Sequence, residues 1–115
     1  MHEPGTGELR HHVEKRDGGE LHVIELPSEF IADREFDEFE RLTKRIMRAG
    51  TQVRIDCRRV HHINSTGLGA IISAYTRAHE LGGSLKLDAT GNASLRALLK
   101  RTRLDMLEDS DEPAS

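Results

Sequence analysis

The order of apolar patterns along this chain limits its fold more than any other feature. Short runs with strand-like alternation take turns with longer runs whose apolar residues recur at helical spacing. The predicted strands cover 9–16, 20–26, 51–57 and 84–88, and the predicted helices cover 33–49, 66–81 and 92–103. This β-β-α-β-α-β-α order predicts an α/β fold with a mixed four-stranded sheet and helices packed on it. The last three strands would be parallel, with the first antiparallel to the second.

Turn and cap residues set the expected element boundaries. Asp17-Gly18-Gly19 has the residues that a tight hairpin needs between the first two strands. Asp33 is the expected N-cap of the first helix, and Gly50 its expected C′ residue. Asn92 or Gly91 would open the third helix.

The composition predicts one domain with an aliphatic core. The chain has 115 residues with no Trp, three Phe and one Tyr, so Leu, Ile, Val and Ala must fill most of the interior. We expect a flexible N-terminal arm over 1–8, the folded domain over 9–107 and a disordered acidic tail over 108–115.

The charge pattern and the apolar runs disfavour several classes of protein. The net charge is −3 with acids and bases interspersed, so there is no basic stripe to bind nucleic acid. No apolar run is long enough to span a membrane, and the first residues lack a signal-peptide pattern. Cys57 is the single cysteine, so no intrachain disulfide can form. These features predict a cytoplasmic protein.

Three loops are expected to meet at one edge of the sheet. Ligand-binding loops gather beyond the carboxyl ends of parallel strands, and here those loops are 27–32, 58–65 and 89–92. Ser65 would lie near their centre.

Residues 63–69, INSTGLG, stand where a predicted strand ends and a predicted helix begins. The first N–H groups of a helix and its positive dipole end favour an anion, so a phosphate on Ser65 or Thr66 would be tolerated there. Such a domain would be a switch rather than a catalyst. The alternative is that one of these hydroxyls only caps the helix, and position alone favours the cap because N-caps are common.

An enzyme of the hydrolase class is the rival hypothesis, with His61 or His62 as the base for Ser65. The sequence lacks the G-x-S-x-G elbow, and both histidines lie too near Ser65 along the chain to face it freely. The pairs His11-His12 and His61-His62 lack completing cysteines or acids, so we expect no metal and no cofactor. The prediction is a binding protein without catalytic residues.

Residues 53–69, VRIDCRRVHHINSTGLG, closely resemble the central signature of STAS domains, and the likeness continues through GGSLKL at 82–87. The free-standing proteins that this chain resembles are bacterial anti-sigma factor antagonists. The resemblance implies a partner switch that regulates transcription. The unphosphorylated protein would bind an anti-sigma factor that is also a serine kinase, phosphorylation would release it, and a serine phosphatase would reset it.

The resemblance assigns the phosphorylated position to Ser65, with Thr66 as second choice. The expected partner-binding surface is Asn64, Ser65, Thr66, Gly67, Leu68 and Gly69, flanked by Phe30, Ile31, Thr90 and Gly91.

Two positions depart from the family pattern. The acid that precedes the phosphoserine is Asn64 here, and an acidic turn after the second strand is replaced by PSEFI at 27–31. The loss of the acid at Asn64 suits an alternative function, a STAS scaffold or accessory subunit without a phosphorylation cycle. Such a subunit would belong to a larger assembly, either a stressosome-like particle or a lipid-transport complex.

Overall fold

The computed structural model describes residues 9–108. The expectations for the arm at 1–8 and for 109–115 lie outside these residues. Glu108, assigned to the tail by the sequence, forms a parallel bridge with Leu87, and its carboxylate accepts a hydrogen bond from Arg96 Nε over 3.1 Å.

Six strands, three α-helices and a final 3-10 turn make up the described chain. The strands are β1 (Arg10–Arg16), β2 (Gly19–Glu25), β3 (Glu29–Phe30), β4 (Gln52–Asp56), β5 (His62–Ile63) and β6 (Ser84–Asp88). The helices are α1 (Asp33–Ile46), α2 (Ser65–Glu80) and α3 (Ala93–Arg101), followed by the 3-10 turn Asp105–Leu107.

The main sheet contains the four predicted strands, and they run in the predicted directions. Its order is β1-β2-β4-β6, with β1 antiparallel to β2 and the remaining pairs parallel. The predicted mixed four-stranded α/β architecture is therefore confirmed.

Alternation along the inner strands creates one apolar face. In β4 Val53 and Ile55 are buried while Arg54 between them is half-buried, and in β6 Lys86 is exposed between two buried leucines. Ten of the twelve largest fully buried side chains are aliphatic: Ile24, Leu26, Val53, Ile55, Val60, Ile71, Leu85, Leu87, Leu99 and Leu107; the other two are Phe30 and Phe39. The core is predominantly aliphatic, as the composition predicts.

No helix within residues 9–108 is long and apolar enough to cross a membrane.

The start of α1 differs from the sequence prediction. Ala32 is the N-cap and Asp33 is the first helical residue, so Asp33 is not the cap. No side chain of the described residues caps the helix, and Glu35 makes the reverse bond of a capping box: its Oε1 accepts hydrogen bonds from the N–H groups of Ala32 (3.1 Å) and Ile31 (3.2 Å). The acid at Asp33 still lies in the first turn, where the helix dipole favours it.

The end of α1 comes earlier than predicted. The helix stops at Ile46, and Met47 has extended backbone angles. Thr51 holds the following turn, since its Oγ1 accepts from the Arg48 N–H over 2.9 Å and donates to the Ile46 carbonyl over 3.4 Å. Gly50 has φ +78° inside this turn, so it serves the turn and not a helix C′ position.

The strands β3 and β5 were not predicted. They pair in parallel, Glu29 with His62 and Phe30 with Ile63, to form a separate two-stranded sheet. This pairing brings the chain before α1 alongside the chain before α2.

Candidate functional site

Asn64 fixes the amino end of α2 to the loop before α1. It is the N-cap residue, and its Oδ1 accepts a hydrogen bond from the Gly67 N–H over 2.9 Å. Its amide nitrogen donates to the Ile31 carbonyl over 3.2 Å. An aspartate could make the first bond but not the second, because a carboxylate has no N–H to donate. The cap is therefore Asn64, and neither Ser65 nor Thr66 is the N-cap.

Ser65 and Thr66 are the first two residues of α2, and both are exposed. The N–H groups of these positions have no acceptor within the helix. The first turn of α2 contains no acidic residue, whereas the first turn of α1 contains Asp33 and Glu35. The positive end of the α2 dipole is thus uncompensated by any side chain of its own first turn, and it is suited to an added anion.

Gly67 is needed for packing inside the domain. A Cβ there would lie 2.8 Å from the Phe30 carbonyl oxygen and 2.9 Å from Ile63 Cγ1, so α2 can approach the β3–β5 sheet only with glycine. A Cβ on Gly69 would meet no atom within 4 Å. Of the two glycines, Gly69 is the one with open space beside it.

Phe30 corrects the predicted contact surface. Its side chain is 0% exposed and makes edge-on ring contacts with Phe36 and Phe39, at centroid distances of 5.1 and 5.6 Å. A ring in the core cannot touch a partner. Its neighbour Ile31 is exposed, so Ile31 and not Phe30 lies on the surface here.

The three loops at the carboxyl ends of the parallel strands are joined by hydrogen bonds. The Ser28 carbonyl accepts from the N–H groups of His61 (2.7 Å) and His62 (3.1 Å). From the third loop, the Asn92 amide donates to the carbonyls of Cys57 (2.9 Å) and Val60 (2.8 Å). Asn92 is buried and caps α3 as predicted, accepting from the Leu95 N–H.

The flanking residues predicted for the surface are not all equally close to Ser65. Ile31 is joined to Asn64 by the hydrogen bond described above. Thr90 lies in the β6–α3 loop, where its hydroxyl donates to Asp88 over 2.7 Å, and Gly91 follows with φ +74°. Among residues 9–108, no hydrogen bond connects Thr90 or Gly91 to the segment 64–69.

Two concave regions flank the segment that contains Ser65. A cavity of about 440 Å³ lies between β5 and α3, and its lining includes Ile31 and Ile63. A groove of about 420 Å³ lies between α1 and α2, and Thr66 and Gly69 form part of its wall. The floor of the groove is apolar and its rim is charged. The floor consists of Phe36, Phe39, Ala70 and Ala74, and the rim consists of Asp37, Glu40, Lys44 and Arg77.

Charge at this edge of the sheet is concentrated around Arg58. The last residues of β2, β4 and β6 are Glu25, Asp56 and Asp88, aligned by the strand register. Arg58 binds both oxygens of Asp56, with Nε–Oδ1 3.0 Å and Nη2–Oδ2 2.9 Å. Burial raises the pKa of the Asp56 carboxyl, but the hydrogen bonds from Arg58 outweigh it and the net shift is downward. The Asp56 carboxylate and the Arg58 guanidinium are therefore both charged and are paired with each other.

The histidines do not form a nucleophile–base pair with Ser65. His61 and His62 are exposed and line the cavity beside α3 together with Ser94. Within the described residues 9–108, no hydrogen bond links either imidazole to the Ser65 hydroxyl.

Sequence reasoning did not identify two residues that hold the site together. Glu35 fixes the Ile31 loop, but the capping signal that would reveal it requires Ser or Thr three residues earlier, where this chain has Ala32. Ser28 acts through its backbone carbonyl, so its side chain gives no signal.

Comparison with solved structures finds similar domains. An anti-sigma-factor antagonist (STAS) domain protein from Planctomyces limnophilus matches with a TM-score of 0.63 and 18% identity, over 85% of this chain and 86% of that one. The antisigma-factor antagonist STAS domain from Rhodobacter sphaeroides matches with a TM-score of 0.48 and 16% identity, over 74% and 90% respectively. No curated protein sequence matches the chain.

The family comparison covers most of the molecule. The model described as "Mlab, STAS domain" matches residues 14–109, which include all three α-helices and every strand of the main sheet apart from the first residues of β1. The likeness to the Planctomyces limnophilus domain agrees with this at the level of the fold. The chain belongs to the STAS domain family described as Mlab, STAS domain.

Proposed function

We propose that this protein is an anti-sigma factor antagonist that binds an anti-sigma factor with serine kinase activity. The binding surface, which we name the Ser65 face, consists of the exposed residues Ile31, Asn64, Ser65, Thr66 and Gly69. The observation that carries the proposal is the exposed Ser65 at the uncompensated amino end of α2, between two concave regions. The Planctomyces limnophilus neighbour, described as an anti-sigma-factor antagonist, supports this choice of partner class.

The partner's contact extends from Ser65 into the groove between α1 and α2. Its apolar floor can take up an apolar side chain of the partner, and the mixed charges at its rim can pair with polar groups around it. Thr66 and Gly69 line this groove directly, and Leu68 is half-buried against the core. Of the predicted surface residues in this region, Ile31, Asn64, Ser65, Thr66 and Gly69 are exposed.

Phosphorylation of Ser65 would break the contact without unfolding the domain. It adds about −1.5 to −2 charges, and the uncompensated α2 dipole tolerates them. A partner packed on the same surface would have to desolvate the phosphate, which is far more costly. A serine phosphatase would then restore binding.

Incubation with a cognate anti-sigma kinase and ATP tests the phosphorylation step. We expect one phosphate, located by mass spectrometry on Ser65, and no adduct on the Ser65→Ala variant. Ser94 is a built-in control because it is also an exposed serine in the first turn of a helix. Equal labelling of Ser65 and Ser94 would show that exposure, and not recognition of this face, determines phosphorylation.

A second candidate function rests on Asn64. Its amide makes a bond to Ile31 that the family's acid could not make, so the face is fixed in one geometry without a charge next to Ser65. This suits a STAS subunit that scaffolds a larger assembly, of a stressosome-like or lipid-transport kind, without phosphorylation. The matching family model carries the Mlab description and not that of an anti-sigma factor antagonist. A stable complex with the kinase partner that never acquires phosphate on Ser65 would favour this second function.

A further inference from the structure

A third concave region lies at the opposite end of the parallel strands from Ser65. It has a volume of about 650 Å³, is open to solvent and is lined by the β1–β2 hairpin, the last turn of α1 and the turn before β4. Leu21 pairs with Gln52 at the first register position between β2 and β4, so this region faces the amino ends of these strands. Its polar side chains include His22, Arg45 and Arg48.

Within residues 9–108, the two arginines in this region have no carboxylate partner. Several other cations of the described chain are paired, for example Arg16 with Glu14, Lys44 with Glu40 and Arg58 with Asp56. Neither Arg45 nor Arg48 forms a salt bridge with any described residue between 9 and 108. Of the described residues that line the region, Glu20 alone is acidic, and it is exposed.

Two imidazoles, those of His22 on β2 and His11 on β1, extend this group of basic residues toward β1. His11 and His22 are stacked with ring centroids 5.2 Å apart and planes inclined by 4°. His11 Nε2 and His22 Nδ1 are 3.0 Å apart, so one of these nitrogens donates to the other and the acceptor ring is neutral. Burial lowers the pKa of His11, and the charges of His22, Arg45 and His12 lower it further.

The backbone around the arginines is held in place. Thr51 binds the N–H of Arg48 through its hydroxyl, and the Gly50 N–H donates to the Leu81 carbonyl over 2.9 Å. A binding site whose walls are already fixed loses little entropy when a ligand arrives.

We propose that this region, which we name the hairpin pocket, binds a phosphate group through Arg45, Arg48 and His22. Guanidinium groups are the side chains best matched to phosphate, and no carboxylate of the described part of the chain pairs with these two. The ligand class is a phosphate-bearing anion, either a free phosphate compound or the headgroup of an anionic phospholipid. The pocket is distant from the Ser65 face, so it is independent of the proposed partner switch.

The alternative explanation is that Arg45 only complements the negative end of the α1 dipole. Arg101 provides the matched control because it is an exposed arginine in the last turn of α3 and lines no part of the hairpin pocket. A dipole role would make Arg45 and Arg101 equivalent toward added anions.

Amide NMR of the full chain, titrated with inorganic phosphate against chloride at constant ionic strength, tests the proposal. We expect saturable shifts confined to Gly18, Gly19, His22, Gly50 and Thr51. Arg45→Gln and Arg48→Gln should each weaken binding by about tenfold, and Arg101→Gln should leave it unchanged. Shifts that do not saturate, or that change equally in all three variants, would overturn the proposal.

Vesicles distinguish the two sources of phosphate. Binding to vesicles with anionic phospholipid that is lost in Arg45→Gln and retained in Arg101→Gln indicates a headgroup ligand. Binding of inorganic phosphate with no vesicle binding indicates a free compound. Vesicle binding that is equal in all variants contradicts the pocket as the site of recognition.

Discussion

At the scale of single residues, Asn64 determines the geometry of the candidate interface. One of its side-chain atoms caps α2 and the other holds the loop of Ile31. The sequence showed that Asn64 could cap the helix, because asparagine is a preferred N-cap. The second bond could not be predicted, since it depends on a pairing of β3 with β5 that places Ile31 next to Asn64.

Replacing Asn64 with alanine removes both bonds. We expect Asn64→Ala to lower the free energy of unfolding by about 1–2 kcal/mol, measured by urea denaturation. Asn64→Asp keeps the cap and gains from the dipole but loses the bond to Ile31, so its stability should lie between those of the alanine variant and the unmodified chain. An Asn64→Ala variant as stable as the unmodified protein would show that neither bond contributes.

The two glycines of α2 should respond in opposite directions to alanine. Gly67→Ala places a Cβ against Phe30 and Ile63 and should destabilise the fold by about 1–3 kcal/mol. Gly69→Ala has open space and should stabilise the helix by about 0.5–1 kcal/mol. Thermal unfolding of the pair measures the difference directly. Equal shifts in melting temperature would contradict the close approach at Gly67.

At the scale of elements, long periodic segments were predictable and short ones were not. The four strands of the main sheet and the three helices follow from alternation and helical spacing, with boundaries that differ by a few residues. β3 and β5 have two residues each, too few for any period to be recognised, and Pro27 makes the first of them resemble a loop.

Helix ends were predicted well where the cap is a side chain with a strong preference. Asn92 caps α3 as expected. The predicted start of α1 was wrong because Glu35 binds the Ala32 N–H from inside the helix, which leaves Ala32 as the N-cap residue. The predicted end was wrong because the Thr51 hydroxyl stabilises a turn that a local pattern does not reveal.

Asn92 should be a stronger anchor than Asn64, although both are N-caps. Its amide satisfies two carbonyls of the second loop in a buried environment, where an unpaired polar group is costly. We expect Asn92→Ala to lower the free energy of unfolding by about 2–4 kcal/mol, clearly more than Asn64→Ala. If urea denaturation gave the two variants equal losses, the loop-joining role of Asn92 would be wrong.

At the scale of the whole molecule, the two ends of the parallel strands carry different features. The carboxyl end has the Ser65 face and the Asp56–Arg58 pair, and the amino end has the hairpin pocket. The family of the domain was predictable from the signature at 53–69, because that segment combines the right residues with a strand-loop-helix context. The hairpin pocket was not, since Arg45, Arg48 and His22 are brought together only by the packing of α1 against the β1–β2 hairpin.

The stability of the domain should depend on pH in two steps. The pKa of His11 is lowered from its ordinary value of 6.5, so the unfolded chain binds the proton more readily and stability is lost as the pH falls below that value. The pKa of Asp56 is lowered from 3.8, so a second loss occurs as the pH falls below about 4. Urea denaturation across this range should show both steps, and His11→Gln should remove the first alone.

The affinity for a cognate anti-sigma kinase, measured by calorimetry, tests the central claim most directly. Ser65→Ala should bind like the unmodified chain, whereas Ser65→Glu should bind at least about tenfold more weakly with its melting temperature nearly unchanged. Ala97→Glu, an acidic change at an exposed position of α3 that lines neither concave region, controls for charge alone and should keep full affinity. Equal affinity of Ser65→Glu and the unmodified protein would contradict the assignment of the Ser65 face as the regulated interface.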